Sequence, residues 1–409
     1  MVTANVAPAA PIPAPPHPLR ERNFRLLFIG STISLLGDQF YFVAMPWLIL
    51  QQTGSAVAMG TIMMAGAVPR TVLMLMGGAV SDRTSPRRVM MITAGTRSIL
   101  VAVLGGLISL HLLHTWHLYA MAALFGTADA FDAPAGQAFI PFLVKQEQLV
   151  AATSVSQVRT QLSTIVGPAP AGLVIKALGI ASAFFIDAVS FLFIIGALLR
   201  LPDPPPTHDG KKPIFHSILE GLRYVAKDIP LRSLGFVAVG MNFCLAGPVS
   251  LGLAYMAKTK FGSPTMLGVM LSSLAAGALV GALLAGIWKI RRRGVMIVLV
   301  SLVMGVLLGL LGLLNNRWAI PPILFVMGAS AGMTNVQIGA WIMQRIEPAV
   351  RGRVMSVITL GAVGTMPISL ALAGFAIAVS LKLMFLLAGS VMLLVTMVAA
   401  TQRTVLEIE

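Results

Sequence analysis

Charged residues interrupt several long apolar stretches of the sequence, and five of them have the side chains best suited to chemistry. If these stretches span a membrane, each charge costs at least about 2.5 kcal/mol on insertion scales and therefore needs a partner or a task. A carboxyl group in such a place can take up and release a proton as it moves between an apolar environment and an arginine partner. The alternative is a static ion pair that holds helices together. The five candidate proton-coupling residues are Asp38, Asp129, Asp132, Asp187 and Arg70.

The composition indicates that these residues belong to an all-α polytopic membrane protein. Of the 409 residues, 57% are hydrophobic and 11% are charged, against roughly 25% charged residues in soluble globular proteins. This composition excludes an ordinary soluble enzyme, and the strands of an outer-membrane barrel would be only weakly hydrophobic. The single cysteine, Cys244, lies inside an apolar run. It suggests no metal cluster, and no cofactor is predicted.

Apolar runs of about 18 or more residues predict the transmembrane helices. Twelve such runs occur, and an even number places both termini on the same side of the membrane. The runs lie near 24–50, 56–80, 89–110, 117–141, 150–175, 179–200, 231–257, 264–288, 294–314, 318–340, 354–377 and 381–401.

The basic residues predict which side of the membrane holds the termini. Of the 29 lysines and arginines, 21 lie in segments on the side of the termini and 5 lie in the opposite segments. The other three, Arg70, Arg97 and Arg159, lie inside the predicted helices. Because cytoplasmic segments of membrane proteins are enriched in lysine and arginine, we expect cytoplasmic termini in a bacterial cytoplasmic membrane. The same rule accounts for the net charge of +15 without a nucleic-acid partner.

The chain divides into two halves of six predicted helices, joined by a long loop. The loop opens with a proline-rich stretch and contains an amphipathic segment, 214–225, that suits the membrane surface. We expect a disordered proline-rich cytoplasmic tail at 1–19, a first half at 20–200, a central cytoplasmic loop at 201–230, a second half at 231–402 and a cytoplasmic tail at 403–409.

Several small motifs of the first half return in the same order in the second half. Such an ordered series predicts two parallel repeats related by an axis along the membrane normal, with a substrate site between them near the midplane. The matches include Gly54-Ser55 with Gly262-Ser263, Gly60 with Gly268, and Gly126 with Gly328.

The loop between the second and third predicted helices carries a recognisable motif. Its glycine, its Asp-Arg pair and its later basic pair resemble the signature loop of the major facilitator superfamily. The spacing is similar to the macrolide-efflux and enterobactin-exporter branch, the third drug:proton antiporter family, and segments 36–38, 131–135 and 351–356 also match that branch. The resemblance covers the chain after residue 20 and implies twelve transmembrane helices in two pseudo-symmetric six-helix halves, the major facilitator fold. The signature-loop residues are Gly78, Asp82, Arg83, Arg87 and Arg88.

The resemblance also gives this loop a gating role. It implies that Asp82 bridges the two halves in the outward-facing state, by accepting hydrogen bonds from the helix that begins near Arg353. It further implies that Arg83 pairs with Asp132 or Asp129 on helix 4. The alternative is that the later basic pair of the loop only sets the membrane topology.

The fifth predicted helix resembles the antiporter motif of the superfamily, in which small residues surround a Gly-Pro pair. Its candidate residues are Gly167, Pro168 and Gly172. Small residues let helices 5 and 8 approach closely, and Pro168 and Pro170 break the helical hydrogen bonds and bend the chain. The resemblance ties this motif to export and to sealing of the cavity. The alternative is a glycine-rich helix that serves packing alone.

A substrate cavity between the halves is expected to be lined by residues of helices 1, 7 and 10. The sequence contains 24 methionines, which give an adaptable apolar interior that suits varied hydrophobic ligands. The lining candidates are Gln39, Tyr41, Phe42, Met45, Asn242, Phe243, Asn335 and Gln337.

The intramembrane acids and the resemblance together predict a secondary active exporter rather than an enzyme. We expect proton-coupled antiport of hydrophobic or amphipathic small molecules, as in drug efflux, by alternating access of a monomer in the lipid bilayer. The alternatives are a dedicated exporter of a native metabolite, such as a siderophore or a lipid, and an uncoupled facilitator. A membrane-embedded prenyltransferase would need a second aspartate-rich cluster beside Asp129 and Asp132. An ATP-driven pump is excluded for this chain because the sequence lacks a phosphate-binding loop of the Walker type.

Overall fold

Helices make up the regular structure of the chain, as its apolar composition predicts. The computed structural model describes residues 17–204, 214–288, 292–346 and 351–402, and it leaves undescribed the side chains of 75–83, 214–219, 221, 351–353 and 356. Across the described ranges every regular element is helical. The described structure is therefore all-α.

The N-terminal half contains six membrane-spanning segments, of which the fifth is divided. Its helices are α1 (Arg22–Thr53), α2 (Ala56–Arg83), α3 (Pro86–Ser109), α4 (Thr115–Phe139), α5 (Leu149–Val166), α6 (Pro168–Leu178) and α7 (Ile180–Leu199). The fifth segment consists of α5 and α6, which are separated at Gly167. The separation has a local cause, because Pro168 has no N–H to donate to the preceding turn.

The C-terminal half begins after a short amphipathic helix and also contains six segments. The amphipathic helix is α8 (Ile214–Lys227), and the helices of the half are α9 (Ile229–Gly247), α10 (Leu253–Thr259), α11 (Pro264–Ile287), α12 (Arg293–Leu311), α13 (Ile320–Arg345), α14 (Arg351–Gly364), α15 (Met366–Val379) and α16 (Leu381–Ala400). A turn of π-helix, Pro248–Gly252, joins α9 to α10 in one segment. The helices α14 and α15 form another, divided at Thr365 beside Pro367.

The predicted set of twelve transmembrane helices is confirmed, with local corrections. Ten segments in the described residues are long and apolar enough to cross a membrane. The other two are α4, which contains two aspartates, and the divided pair of α5 and α6. Two spans predicted as continuous helices, 231–257 and 354–377, contain a π turn and a break. Both irregularities lie beside a proline, which disturbs helical hydrogen bonding.

Glycines let paired helices approach until one backbone touches the other. On α4, a Cβ at Gly126 would meet the backbone of Gly66 on α2. On α13, a Cβ at Gly328 would meet the backbone of Leu274 on α11. Small residues at helix crossings are the usual means of close packing in membranes. The predicted repeat of Gly126 as Gly328 therefore corresponds to the same crossing in each half.

The two halves meet tightly at the end of the bundle opposite the termini. A Cβ at Gly60 of α2 would lie 2.9 Å from the Cα of Gly374 on α15, and one at Gly172 of α6 would press on the backbone of Pro264 on α11. At the same end, the Lys258 ammonium of α10 lies 3.5 Å from the carbonyl oxygen of Trp47 on α1. These contacts close this end, which is the outer one if the termini are cytoplasmic.

Candidate functional site

One buried arginine gathers three carboxylates inside the N-terminal half. Arg97 of α3 is 3% exposed, and its Nη2 bonds the Asp38 carboxylate of α1. Its Nη1 lies 3.7 Å from a carboxylate oxygen of Asp129 and 3.7 Å from one of Asp132, both on α4. Arg70 of α2 joins from the far side, with its Nε 2.9 Å from the other Asp129 oxygen. We call these five residues the Arg97 cluster.

Helix periodicity and aromatic packing hold the Arg97 cluster together. Asp129 and Asp132 lie three residues apart on α4, so both face α3. Thr93, one turn before Arg97, donates from its hydroxyl to Asp132 at 3.0 Å. The rings of Phe125 and Phe191 have their centroids 4.6 Å from the Arg97 guanidinium carbon. The aromatic faces stabilise the cation where water is excluded.

The carboxylates of the Arg97 cluster differ in their access to solvent. The Asp38 side chain is 10% exposed, that of Asp129 is 18% exposed and that of Asp132 is 32% exposed. Arg70 is the most open member, at 40%. The cluster therefore combines one buried ion pair, Arg97 with Asp38, and one partly exposed carboxylate, that of Asp132.

Asp187 of α7 lies beside the Arg97 cluster but has poorer polar contacts. It is fully buried, its Oδ1 accepts from the Ser190 hydroxyl at 3.5 Å, and its Oδ2 has no hydrogen-bond partner in the described part of the chain. Gly37 of α1 makes room for it, since a Cβ there would lie 2.9 Å from Oδ1. Asp187 is thus placed next to the helix that carries Asp38, although it forms no ion pair among the described residues.

Four of the five sequence-based candidates for proton coupling come together, around a residue that the sequence analysis did not select. Asp38, Asp129 and Asp132 meet at Arg97, and Arg70 pairs with Asp129. Arg97 carried an available signal, because it is one of three arginines inside the apolar runs. The sequence could not show that α1, α3 and α4 meet at this residue.

The gating roles predicted for the signature loop fall partly outside the described residues. The side chains of Gly78, Asp82 and Arg83 lie outside the described residues, so their gating roles stay predictions. Asp129 and Asp132, the proposed partners of Arg83, have Arg97 as a described neighbour.

Arg87 and Arg88, also candidates for the signature-loop gate, have partners at the end of α7 and in the loop that follows it, and their gating role stays a prediction. Arg87 donates from Nε to the carbonyl oxygen of Leu198 at 2.6 Å, and Arg88 Nε lies 2.8 Å from an oxygen of Asp203. These contacts attach the start of α3 to the end of α7. The hydroxyl of Ser85 also bonds Asp203, and together with Arg88 it lowers the pKa of that carboxyl.

The antiporter-like motif lies where the two halves approach. Gly167 faces α1, where a Cβ would meet the side chain of Gln39. Gly172 contacts the backbone of Pro264, and a Cβ at Gly268 would meet the carbonyl oxygen of Pro168. The predicted close approach of helices 5 and 8 is confirmed by these α6–α11 contacts. The role of the motif in export stays a prediction.

Four of the predicted cavity residues are packed in the interior of the described structure, and their place in a substrate cavity stays a prediction. Gln39 is buried against Gly167, and Met45 is fully buried in the hydrophobic core. Tyr41 stacks on Phe125, with ring centroids 4.0 Å apart. Gln337 donates to the carbonyl oxygen of Ala285 at 3.2 Å and links α13 to α11.

The remaining cavity candidates are accessible and stay predictions. Phe42 is 41% exposed. Asn242 and Asn335 are exposed, and Phe243 is half-buried. A uniformly apolar helix does not reveal which of its faces looks inward, which explains why the sequence selected both kinds of residue.

Comparison with known proteins gives one family and one fold. The model of the transmembrane secretion effector family matches residues 14–409. The multidrug efflux pump Tap of Mycolicibacterium fortuitum is 31% identical over 394 residues, which cover 91% of this chain and 94% of that protein. Macrolide efflux protein A of Streptococcus pyogenes is 24% identical over 387 residues, covering 92% and 94%. A crystallised mutant of the nucleoside transporter NupG covers 93% of this chain and 99% of its own, with a TM-score of 0.76 at 10% identity. That likeness concerns the fold alone.

Proposed function

Because the chain belongs to the transmembrane secretion effector family of the major facilitator superfamily, we propose that it is a proton-coupled exporter of hydrophobic or amphipathic small molecules. The observation that carries the coupling is the Arg97 cluster, in which three carboxylates share one buried guanidinium. The printed names of two relatives, a multidrug efflux pump and a macrolide efflux protein, support the substrate class and the direction.

Protonation of Asp38 gives the cluster two arrangements. With Asp38 ionised, Arg97 bonds it, and Asp129 and Asp132 stay at the longer distance of 3.7 Å. When Asp38 takes a proton, its attraction for Arg97 falls, and the guanidinium shifts toward the two carboxylates of α4. Since Asp38 is on α1 and its competitors are on α4, this shift changes how α1 fits against α3. A change of a few kcal/mol is enough to bias a two-state transporter.

The other parts of the proposal follow from the fold and from the distribution of charge. The chain is a multi-pass membrane protein, and we place it in a bacterial cytoplasmic membrane with both termini in the cytoplasm, as a monomer. The closed end of the bundle then faces outward, so a substrate enters from the cytoplasmic side. Opening requires the glycine contacts between Gly60 and Gly374, and between Gly172 and α11, to separate.

The test is the accumulation of a panel of dyes and antibiotics in an efflux-deficient bacterium. Cells express the wild type, Asp38→Asn or the control Asp203→Asn, each with and without an uncoupler. We expect the wild type and the control to lower accumulation only while the proton gradient lasts, and Asp38→Asn to lose this effect. Efflux by Asp38→Asn that equals the wild type would contradict the proposal. If no compound responds although surface expression is confirmed, the drug class is wrong and a dedicated native substrate replaces it.

A further inference from the structure

Arg159 of α5 is an intramembrane cation without a carboxylate partner among the described residues. Arg70 and Arg97 both form ion pairs. Arg159 instead bonds the Ser31 hydroxyl through Nη1, its guanidinium carbon lies 5.7 Å from the Phe28 ring centroid, and its Nε is buried without a hydrogen-bond partner. A cation at this depth needs a counter-charge, and the described contacts leave that need unmet.

The acid that interacts electrostatically with Arg159 also has other partners. Asp132 interacts electrostatically with Arg159, but its oxygens contact the Thr93 hydroxyl at 3.0 Å and Arg97 at 3.7 Å. Arg159 therefore shares this carboxylate with Arg97. It is only half-buried, so an anion of suitable shape can reach it.

The position of Arg159 suits a ligand that passes between the two halves. Two residues further along α5, Gln161 donates to the carbonyl oxygen of Ala275 on α11 at 3.2 Å, across the boundary between the halves. The closed end of the bundle lies beyond α5, where Gly172 of α6 meets Pro264. Helix α5 thus lies along this boundary, away from the closed end, and Arg159 projects from it toward α1; a substrate site of this fold is expected near the boundary.

We propose that Arg159, with Ser31 and Phe28, forms an anion subsite for exported compounds. Its ligands are aromatic amphipathic molecules that carry a carboxylate, enolate or phenolate group. The guanidinium binds the anion through paired charge-assisted hydrogen bonds, and the Phe28 ring offers an aromatic face beside it. The inference rests on the proposed function, since it assigns part of the substrate to one residue.

The test compares two dyes with the same xanthene ring system and opposite charge. Fluorescein is the anionic probe and a cationic rhodamine is the other, and their dissociation constants are measured on the purified full-length protein. We expect Arg159→Gln to weaken fluorescein binding by roughly tenfold, the loss expected of one charge-assisted pair, and to leave rhodamine binding within about twofold. Arg159→Lys should keep part of the fluorescein affinity, because it retains the charge without the planar fork.

Control variants keep the result interpretable. Arg200→Gln removes an exposed arginine at the end of α7 and should change neither dye. If Arg159→Gln does not fold, Ser31→Ala and Phe28→Leu probe the same subsite.

Two results would overturn the subsite. In the first, the wild type binds fluorescein no more tightly than Arg159→Gln. In the second, both dyes weaken equally in Arg159→Gln and in Asp132→Asn, which would make Arg159 a structural partner of Asp132. The two proposals can also fail separately. If the wild type shows no uncoupler-sensitive efflux but Arg159→Gln still weakens fluorescein binding and not rhodamine binding, the proposed function is contradicted and the subsite is not.

Discussion

The N-terminal and C-terminal halves share their helix crossings but differ in the charges that those helices enclose. In the first half, Gly66 and Gly126 bring α2 against α4; in the second, Gly328 brings α13 against Leu274 of α11. Arg97 holds three carboxylates within the first half. The second half, residues 231–402, has one acidic residue, Glu347, located in sequence between α13 and α14.

The difference suggests that packing and charge chemistry are separable in this molecule. Close crossings are repeated because each half must hold its own helices together in lipid. Charge is concentrated in one half, so a protonation event there can change that half while the other remains a stable apolar partner. This comparison yields three predictions, given in order of expected size.

The largest effect is expected from removing the centre of the charged half. Arg97→Gln leaves Asp38, Asp129 and Asp132 without their shared cation, and breaking a buried ion pair in this way costs about 3–5 kcal/mol. We expect loss of efflux and a strong fall in the melting temperature of the purified protein. The matched variant Arg70→Gln removes a cation that is 40% exposed and pairs with one carboxylate among the described residues, and it should destabilise much less. Equal melting temperatures for Arg97→Gln and Arg70→Gln would contradict the larger stabilising role given to Arg97.

The helix crossings at Gly126 and at Gly328 should be destabilised to a similar extent when an alanine replaces the glycine. Gly126→Ala and Gly328→Ala each place a Cβ against the backbone of the facing helix, and overpacking of this kind costs about 1–3 kcal/mol. We expect similar falls in melting temperature for both. Gly196→Ala and Gly339→Ala, where a Cβ meets nothing within 4 Å, are the controls. A fall in only one half would show that the two crossings are not equivalent.

The smallest effect is expected from the surface contact between Asp203 and Arg88. The pKa of Asp203 is lowered by the Ser85 hydroxyl and by Arg88, so the ionised carboxyl stabilises the folded protein. That contribution is present above the ordinary aspartate pKa of about 3.9 and is lost as the pH falls through the lower value of the folded state. We expect Asp203→Asn to reduce the loss of melting temperature between pH 5 and pH 3, by roughly a degree because the pair is exposed. If the melting temperatures of the wild type and of Asp203→Asn fall equally between pH 5 and pH 3, the contact contributes nothing to stability.

The sequence revealed the membrane spans and the charged residues but not their partners. Apolar runs located the segments because lipid requires continuous helical hydrogen bonding. A bend at Gly167 was predicted from Pro168, whereas the break at Thr365 was not predicted, although Pro367 lies inside the predicted span 354–377 and disturbs helical hydrogen bonding in the same way.

Contacts between distant residues account for the other differences. Which arginine meets Asp38 depends on how α1, α3 and α4 pack, and Arg97 is 59 residues away in sequence. Arg88 was assigned to a gate from the resemblance to the signature loop, and its described partner, Asp203, lies 115 residues further along the chain. The placement of Met45 in the core could not be predicted, because α1 is apolar on several faces and its rotation is set by tertiary packing.

The most direct test of the account is proton movement driven by substrate in proteoliposomes. A pH-sensitive dye is trapped inside, a transported compound is added on one side, and the wild type is compared with Asp38→Asn and with the control Asp203→Asn. We expect the compound to drive protons in the opposite direction through the wild type and the control, while Asp38→Asn binds the compound and moves no protons. Proton movement through Asp38→Asn at the wild-type rate would contradict the assignment of coupling to the charged half.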